Sequence, residues 1–464
     1  MNTRSLIAAG VLLALTAGCT TSAPPEEAGN DTTTAAGEIT VWTLEDVQDR
    51  ITSTQKIADA FTAKSGIKVK LVAIAEAQFD QVVTTAAAGG TLPDVVAALS
   101  PAGVQSMSVN GLLDTKTPGE IVSALGEDSF SPAALDLTRS GSDQVAVPSD
   151  AWTQLLYYRK DLFAKAGLAT PDTYEKITAA AKALTQGGTA GIALSTKAGD
   201  TFTQQSFEHL ALGNGCELVD QAGEVTLDSP ACKESFAFYG DLARNYSVKG
   251  NQDVDTTRAN YFAGKTAMVI WSTFLLDELA GLRNDALPTC PECKKDPTFL
   301  AKNTGVVGAI SGPSGEPKQY GQVTSWVLTK TGNAAASKQF VEYMMNDGYV
   351  DWLAIAPEGK APVRKGTADE PEKFVDAWGG LKAGVDKKAP LTDFYSPDVV
   401  QTILTGPDKV SPWGFPQGQG ALVGATLGQL PVPKAVNAIV NGEDPQKAAD
   451  QADAAVTEIA KSLK

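Results

Sequence analysis

The chain has 464 residues, of which 43% are hydrophobic, and a formal net charge of −16. This length suits two lobes of ordinary size, and the hydrophobic fraction suits packed cores rather than wholesale disorder. The acidic charge repels phosphate groups, so we expect neither a nucleic-acid partner nor electrostatic attachment to anionic lipid. Any attachment to a membrane should therefore be covalent.

The first 18 residues have the pattern of a signal peptide, with Arg4 before the apolar run LIAAGVLLALTAG. The run is too short to span a bilayer comfortably and ends in LTAGC, which resembles a bacterial lipobox with Cys19 as the site of acylation, palmitate included. An ordinary cleaved signal with an incidental cysteine is the alternative. Residues 19–37 are rich in Thr, Ala, Pro and Gly, which predicts a flexible tether.

The folded part is expected to begin at residue 38, where strand and helix patterns start to alternate. Strand patterns at 38–42, 67–74 and 92–99 are separated by helix patterns at 52–66 and 79–90. This βαβαβ order predicts parallel strands with helices on the faces of the sheet. Such sheets bind ligands in the loops beyond the carboxyl ends of their strands.

The stretch QVAVPSDAWTQLLYY at 144–158 is too long and too β-rich for one ordinary strand. Pro148 interrupts it, which predicts a crossover segment with a bend at PSD followed by a strand. A short helix should follow at 159–167. The next helix should begin after Thr173 as its N-cap and end at Gly187 as its C-cap.

Cysteine usage fits an exported protein. Five cysteines are present, and setting Cys19 aside leaves four, for which we predict the pairs Cys216–Cys232 and Cys290–Cys293. The CPEC motif of the second pair also occurs in redox and zinc sites. It lacks a second ligand cluster here, so a loop staple is the favoured interpretation.

Catalytic motifs find little support in the sequence. His209 is the only histidine, which excludes an HExxH zinc site, and no GxSxG elbow occurs. AGKT at 263–266 has Ala259 where a P-loop needs Gly, and the Asp-rich stretch at 251–262 has Thr256 where a calcium loop needs Gly. That stretch is interpreted as a solvated loop. We predict no catalytic residue, no metal ligand and no cofactor, although paired carboxylates of a glycosidase would meet only in space.

Several motifs occur in a characteristic order along the chain. They are Pro148, YRKDLF at 158–163, AGL at 166–168, PDTYEK at 171–176, YFAGKTAMVIWSTF at 261–274, SKQFVEYMMNDGYVDWLA at 337–354 and GKAPVR at 359–364. Together they resemble the extracellular solute-binding proteins of ABC importers, in the carbohydrate-binding branch that includes maltose-binding protein. The likeness runs from about 39 to 462. Arg159 stands in place of the family's usual Asn, and Tyr174 in place of its Trp.

The resemblance implies a periplasmic-binding-protein-like (Venus flytrap) fold, in which two α/β lobes close about a hinge on a ligand in the cleft between them. The expected lobes are 38–149 with 313–355 (lobe I) and 150–312 with 356–464 (lobe II). Crossings between the lobes are expected near 147–152, 310–320 and 350–360.

The resemblance also implies a function. It predicts a monomeric substrate-binding lipoprotein of an ABC transporter that captures a carbohydrate, preferably an oligosaccharide, and delivers it to the permease membrane subunits. The protein would sit at the extracellular face of the cell membrane, held by its lipid anchor only. The alternatives are a receptor for a non-sugar solute such as a peptide or polyamine, and a secreted glycan-processing lipoprotein.

Candidate ligand-binding residues follow from the chemistry of sugars, whose C–H faces stack on aromatic rings and whose hydroxyls need polar partners. The aromatic candidates are Trp42, Trp152, Trp271, Phe274, Trp326 and Trp413. The polar candidates are Glu45, Asp46, Gln78, Ser100, Asp150, Gln154, Ser272, Gln322 and Arg364. Trp152, Trp271 and Phe274 lead this set, because the resemblance implies ligand contacts at or near their positions. Asp94 is interpreted as structural.

Overall fold

The computed structural model describes residues 37–463. The predicted signal peptide, the acylation site Cys19 and nearly all of the predicted tether lie outside the described residues. Among the residues that are described, no helix combines the length and the apolar character needed to cross a membrane.

The elements follow one another in a mixed α/β order. The strands are β1 (Glu38–Thr43), β2 (Lys68–Ala73), β3 (Val95–Leu99), β4 (Arg139–Ser140), β5 (Asp143–Gln144), β6 (Val147–Arg159), β7 (Met268–Ser272), β8 (Thr304–Val307), β9 (Gly321–Leu328), β10 (Ala361–Pro362), β11 (Lys382–Ala383) and β12 (Ala389–Pro390). The helices are α1 (Gln48–Ser65), α2 (Phe79–Gly89), α3 (Pro101–Val109), α4 (Thr117–Leu125), α5 (Pro132–Asp136), α6 (Lys160–Ala166), α7 (Tyr174–Leu184), α8 (Thr201–Leu212), α9 (Pro230–Asp241), α10 (Val254–Phe262), α11 (Leu275–Leu279), α12 (Phe299–Asn303), α13 (Ala334–Met344), α14 (Tyr349–Leu353), α15 (Lys373–Gly379), α16 (Pro397–Thr405), α17 (Gly420–Gln429), α18 (Pro431–Val440) and α19 (Pro445–Ser462).

The first part of the chain forms the predicted parallel unit. Strand β1 lies between β2 and β3 and runs parallel to both. Helix α1 ends at Gly66, whose φ of 77° is in the left-handed region that glycine adopts readily. The βαβαβ prediction is therefore confirmed, and the carboxyl ends of β1 and β3 open onto one edge of the sheet.

Strand β6 connects two groups of strands. Its first half, Val147–Thr153, pairs antiparallel with β9, and two of these residues also pair with β10. Its second half, 154–159, pairs antiparallel with β7 and β8. We predicted a bend followed by a strand. Instead the strand is continuous for 13 residues, and the irregularity is a register shift between Pro148 and Asp150.

Two large hydrophobic clusters pack on different parts of the strand arrangement. One packs Val96, Leu99 and other side chains of the β1–β3 sheet against helices α2 and α3, the latter through Val104 and Met107. The other extends from Leu156 to Ile459 and joins the second half of β6 to helices α7, α8, α9, α18 and α19. Two separate cores joined by a shared strand are the physical basis of a two-lobe α/β architecture.

Local predictions around α7 and α10 need two corrections. Thr173 does cap α7, because its Oγ1 accepts a hydrogen bond from the amide of Lys176 at 3.2 Å. The helix ends at Leu184, however, and Gly187 lies in the turn that follows. The stretch 251–262 was predicted to be a solvated loop, but it contains helix α10. Asp253 is the N-cap of this helix and forms a capping box with Thr256 at the third helical position.

The predicted cysteine pairs are adjacent in space. The sulfur atoms of Cys216 and Cys232 are 2.02 Å apart, and so are those of Cys290 and Cys293. The two disulfides remain predictions, and this geometry supports them.

Candidate ligand-binding site

A cavity of about 520 Å³ lies beside β6 at the point where that strand passes from one group of strands to the other. Its walls come from the loop after β3, from β6, β7 and β9, and from helices α8 and α17. The second hydrophobic cluster contributes Tyr320 and Val423 to these walls, and Trp152 packs against the same cluster. Concave sites of roughly 300–1,000 Å³ between lobes or domains are typical of small-molecule binding.

Aromatic rings form one wall of this cavity. Trp152 on β6 has its ring centroid 6.5 Å from that of Phe274 and 5.9 Å from that of Tyr320. Trp152 and Phe274 are half-buried and both line the cavity, and the guanidinium of Arg50 lies over the Phe274 ring at 5.8 Å from its centroid. Trp271, only 6% exposed, packs at 4.6 Å against Phe202 and offers little more than an edge.

The position of Phe274 depends on a close approach of the backbone. A Cβ atom added at Gly359 would lie 2.0 Å from the ring of Phe274, so only glycine fits at this place. Gly359, the first residue of the GKAPVR motif, thus leaves the space that the Phe274 ring occupies in the aromatic wall.

One face of helix α8 supplies polar groups that the sequence analysis missed. Asp200 is the N-cap of this helix and accepts a hydrogen bond from the amide of Phe202 at 3.0 Å. Gln204 and Glu208 follow at intervals of four residues, so the three side chains lie on the same face and all line the cavity. The spacing of four between these polar residues was the signal that could have found them.

Glu208 is a buried carboxyl group within this wall. It is 4% exposed, and its Oε1 accepts a hydrogen bond from the backbone amide of Trp413 at 2.8 Å. Burial raises the pKa of Glu208 to about 8, an effect that the hydrogen bonds from Trp413 and Gln204 oppose and the charge of Glu217 reinforces. The Glu208 side chain is therefore mainly protonated at neutral pH.

Further polar groups come from the strands opposite α8. The amide nitrogen Nε2 of Gln322 donates to the hydroxyl of Tyr320 at 3.1 Å, which orients the Gln322 side chain. Ser100 caps helix α3 by accepting from the amide of Gly103 at 3.3 Å. Ser100 directly follows β3 and Gln322 lies on β9, so these two segments each contribute a hydrogen-bonding side chain to the cavity.

Six of the predicted ligand-binding residues line this cavity. They are Ser100, Trp152, Trp271, Ser272, Phe274 and Gln322. The structure therefore supports these six as candidates, since they share one concave surface.

Three predicted tryptophans belong to the protein interior. Trp42 is part of the first hydrophobic cluster, and Trp326 is 0% exposed beside Trp352 at a centroid distance of 4.7 Å. Trp413 is in the second cluster, where its indole nitrogen donates to the carbonyl of Cys216 at 2.7 Å. These side chains face cores, so they are withdrawn from the candidate site.

Glu45 and Asp150 form a buried ion cluster with Lys360 rather than part of the cavity. The Nζ atom of Lys360 lies 2.6 Å from Glu45 and 3.4 Å from Asp150. Asp150 also accepts from the indole nitrogen of Trp352 at 2.6 Å. Burial alone would raise the pKa of Glu45, but the charges of Lys360 and Arg50 lower it to about 2.

Gln154 and Arg364 are also buried away from the cavity. Gln154 is fully enclosed within β6, and the Arg364 guanidinium donates to the carbonyl of Leu125 at 2.8 Å. Burial lowers the pKa of Arg364 to about 10. Both positions were predicted as ligand contacts, and both instead serve the packing between neighbouring segments.

Asp46 and Gln78 are exposed and lie outside the cavity lining, while Glu76 from the same loop does line it. Partial desolvation and the negative charges of Asp46 and Glu45 raise the pKa of Glu76. Glu76, two residues before the predicted Gln78, is thus the side chain of this segment that lines the cavity.

His209 is buried, and its Nδ1 accepts the backbone amide of Tyr320 at 3.4 Å. Burial lowers the pKa of His209 to about 3, so the ring is neutral and belongs to the core, as interpreted from the sequence. Within residues 37–463, no three His, Cys, Asp or Glu side chains are grouped so that they could hold a metal ion.

A second cavity of about 530 Å³ adjoins the first and shares Glu76, Ser100, Ala102 and Leu427 with it. It runs between helices α3 and α17. A Cβ atom at Gly420 would lie 2.4 Å from the side chain of Gln105, so glycine permits this close approach of the two helices. The two cavities together form an elongated cleft.

The fold and this cleft agree with comparisons to known proteins. The chain matches the family model of bacterial extracellular solute-binding proteins over residues 46–351. It is 31% identical over 327 residues to an Escherichia coli K12 protein provisionally named ABC transporter periplasmic-binding protein YcjN, an alignment covering 68% of this chain and 71% of that protein. The chain belongs to the family of bacterial extracellular solute-binding proteins.

Solved structures share the fold at low sequence identity. The GacH receptor of Streptomyces glaucescens, studied with acarbose, has a TM-score of 0.66 at 20% identity, over 92% of this chain and 99% of that one. The cyclic α-maltosyl-1,6-maltose binding protein of Arthrobacter globiformis has a TM-score of 0.69 at 18% identity, with the same coverage. Maltose-bound MalE3 of T. maritima has a TM-score of 0.66 at 18% identity, over 91% of this chain and 99% of that one. The fold is the two-lobe periplasmic-binding-protein fold.

Proposed function

We propose that this protein is the substrate-binding component of an ABC importer, and that it captures a carbohydrate in the cleft beside Trp152 and delivers it to the permease. The observation that carries the proposal is that two half-buried aromatic rings, Trp152 and Phe274, line one cavity together with Ser272 and Gln322. Rings stack on the C–H faces of sugars, and hydroxyl and amide groups bind sugar hydroxyls.

The similar proteins support a carbohydrate as the ligand. The GacH receptor was studied with acarbose, MalE3 has maltose bound, and the Arthrobacter globiformis protein binds cyclic α-maltosyl-1,6-maltose. The adjoining second cavity favours an oligosaccharide over a monosaccharide, since an elongated ligand could occupy both cavities. A ligand that contacts both lobes would favour the closed form, and the permease would recognise that form.

The lobe boundaries are part of this proposal. Lobe I comprises residues 38–149 and 313–355, and lobe II comprises 150–312 and 356–464. The division of β6 pairing at 153–154 supports a crossing close to the first boundary. The presence of Tyr320 in the second hydrophobic cluster supports a further crossing near the start of β9.

A thermal-shift screen of mono- and oligosaccharides tests the function. A bound ligand at 100 times its Kd should stabilise the protein by about 2.7 kcal/mol and raise its melting temperature. Trp152→Ala should weaken the best ligand about 10- to 100-fold by calorimetry, the range for losing a buried aromatic contact. Phe238→Ala removes a half-buried ring outside the cavity, stacked on Tyr174 at 3.5 Å, and serves as the control for lost packing.

Two outcomes would contradict the proposal. If no saccharide shifts the melting temperature, the carbohydrate function is wrong. If reducing sugar accumulates on incubation with an oligosaccharide, the protein is a glycan-processing enzyme instead.

Anchoring is proposed through Cys19, motivated by the LTAGC motif. The mature protein would then be a monomer held at the extracellular face of the membrane by its acyl chains, with no cofactor. Cys19→Ala should release the protein into the medium without changing its melting temperature. A variant that stays with washed membranes would contradict the lipobox interpretation.

A further inference from the structure

The cleft has an unbalanced set of charges. Three carboxyl groups, Glu76, Asp200 and Glu208, line the first cavity. Among the described residues that line it, none is Lys, Arg or His. An acidic lining without a basic group disfavours an anionic solute and favours a cationic one, and Glu208 adds its own negative charge when it gives up its proton.

These carboxyl groups also lack basic partners elsewhere. Within residues 37–463, none of the three forms an ion pair, in contrast to Glu45, which is bound by both Lys360 and Arg50. Glu208 is the most deeply placed, and the charged group that acts on it most strongly, Glu217, is another acid. A buried carboxylate without a countercharge is costly, so Glu208 stays protonated until a cation approaches.

The Gln204 side chain, which lies between Asp200 and Glu208 on α8, has an unpaired acceptor. This side chain is 2% exposed, it lines the cavity, and its Oε1 has no hydrogen-bond donor within the described part of the chain. Carboxyl and amide side chains thus line the cavity on successive turns of α8, and the buried Oε1 of Gln204 is the oxygen among them that lacks a donor. A protonated amine, which carries up to three donors and no acceptor, is the group that complements such a face.

The aromatic wall is compatible with the same ligand group. A cation over the face of Trp or Phe is attracted by the ring quadrupole, most strongly where water is excluded. Trp152 lines the same cavity as Glu208 and Gln204 and is half-buried, whereas the Phe274 ring already has the guanidinium of Arg50 at 5.8 Å from its centroid. Trp152 is therefore the ring for a ligand cation, and it shares the cavity with the acidic side chains.

We infer that the ligand carries a protonated amine and is an amino-saccharide, with Glu208 as the main counter-ion. This inference rests on the proposed function, because it specifies the chemical class of the carbohydrate. A neutral sugar would donate hydrogen bonds to the acceptors but would bring no positive charge to the acidic side chains. An amine would satisfy both, and it would release the proton of Glu208 on binding.

Matched ligands test the inference. The probes are β-1,4- and α-1,4-linked disaccharides of gluco and galacto configuration, each with an amine, an N-acetyl or a hydroxyl group at carbon 2, measured by calorimetry. At pH 7 the best-bound amine form should bind at least about tenfold more tightly than its two neutral counterparts, and this gap should narrow as salt is raised. Repeating the titration in buffers of different ionisation enthalpy should reveal proton release for the amine form only.

A variant separates Glu208 from general charge effects. Glu208→Gln keeps the shape and hydrogen-bonding capacity of the protonated acid, so it should fold. It should weaken the amine form about 10- to 100-fold, abolish proton release and leave the hydroxyl form nearly unchanged. Glu175→Gln removes one exposed carboxylate on α7, outside the cavity, and should change none of these values.

The outcomes distinguish this inference from the proposed function. If neutral disaccharides bind as tightly as the amine forms, or if no amine form binds, the inference is wrong, and the carbohydrate function stands wherever a neutral form binds. If no disaccharide binds but spermidine, included as a non-saccharide amine, does, the carbohydrate function is wrong and the amino-saccharide falls with it. Unchanged affinity of Glu208→Gln for the amine form would contradict the role of Glu208.

Discussion

Replacing Lys360 by methionine is expected to lower the free energy of unfolding by about 3–5 kcal/mol, the range for breaking a buried ion pair on one side. Lys360 is 3% exposed, its Nζ lies 2.6 Å from Glu45, and the same atom is 4.1 Å from the centroid of the Trp352 ring. Methionine would keep much of the packing volume. It would leave Asp150, which is 1% exposed, without its positive partner.

The measurement is urea unfolding of both proteins at several pH values. The pKa of Glu45 is lowered to about 2 from a reference of 4.5, so its interaction stabilises the fold above about pH 4.5 and is lost as the pH falls toward 2. The difference between wild type and Lys360→Met should therefore shrink over that window. Lys365→Met is the control, because Lys365 pairs with Asp408 at 3.4 Å but is 45% exposed and should contribute less than about 1 kcal/mol. A loss below about 1 kcal/mol for Lys360→Met would contradict the prediction.

The ion cluster of Lys360, Glu45 and Asp150 also links separate segments of the fold. It joins the loop after β1, the bulged part of β6 and the residue just before β10, which are three segments near the crossings between lobes. Two carboxylates that had been assigned to ligand binding are used here to hold segments together. Such a cluster orients β6, the strand from which Trp152 projects.

The parts of the fold that could be predicted are those set by local pattern. Alternation of strand and helix patterns between residues 38 and 99 was enough for the parallel unit, because chain connectivity restricts such units to one arrangement. Trp152 could be predicted as a cleft residue by resemblance to a family, and Ser100 because it follows a buried strand. Both line the cavity.

The tryptophans that were misassigned show where local pattern fails. Trp326 and Trp152 have similar neighbours in the sequence, with Gln322 and Gln154 nearby. Their environments differ because β9 pairs with β6 in a register that sets Trp326 opposite Val147, deep in the sheet. A side chain's orientation in a strand depends on that register, which a single sequence does not contain.

The acids of helix α8 were missed for a related reason. A spacing of four between Asp200, Gln204 and Glu208 shows that they share a face, but not what that face meets. The opposite wall comes from Trp152 and Tyr320, residues distant in the chain. Only the three-dimensional structure shows that this face lines a cavity and that Glu208 has no basic partner there.

Glu208→Gln is expected to stabilise the ligand-free protein increasingly as the pH rises. The pKa of Glu208 is raised to about 8 in the folded protein from a reference of 4.5, so the unfolded chain loses this proton near pH 4.5 while the folded chain keeps it. Stability therefore falls with pH between about 4.5 and 8, and the non-titrating glutamine avoids this loss. At pH 7 the variant should exceed the wild type by about 2–4 kcal/mol relative to their difference at pH 4.

Urea unfolding of ligand-free protein at pH 4, 6 and 8 measures this effect. Other groups near Glu208, among them Glu217, His209 and Tyr320, are present in both proteins, so their titrations largely cancel in the difference. Glu175→Gln, which removes an exposed carboxylate, should show no comparable trend. A difference that stays constant from pH 4 to pH 8 would mean that Glu208 ionises at its ordinary pKa, and the cavity would then hold a fixed negative charge rather than a neutral acid that an amine can ionise.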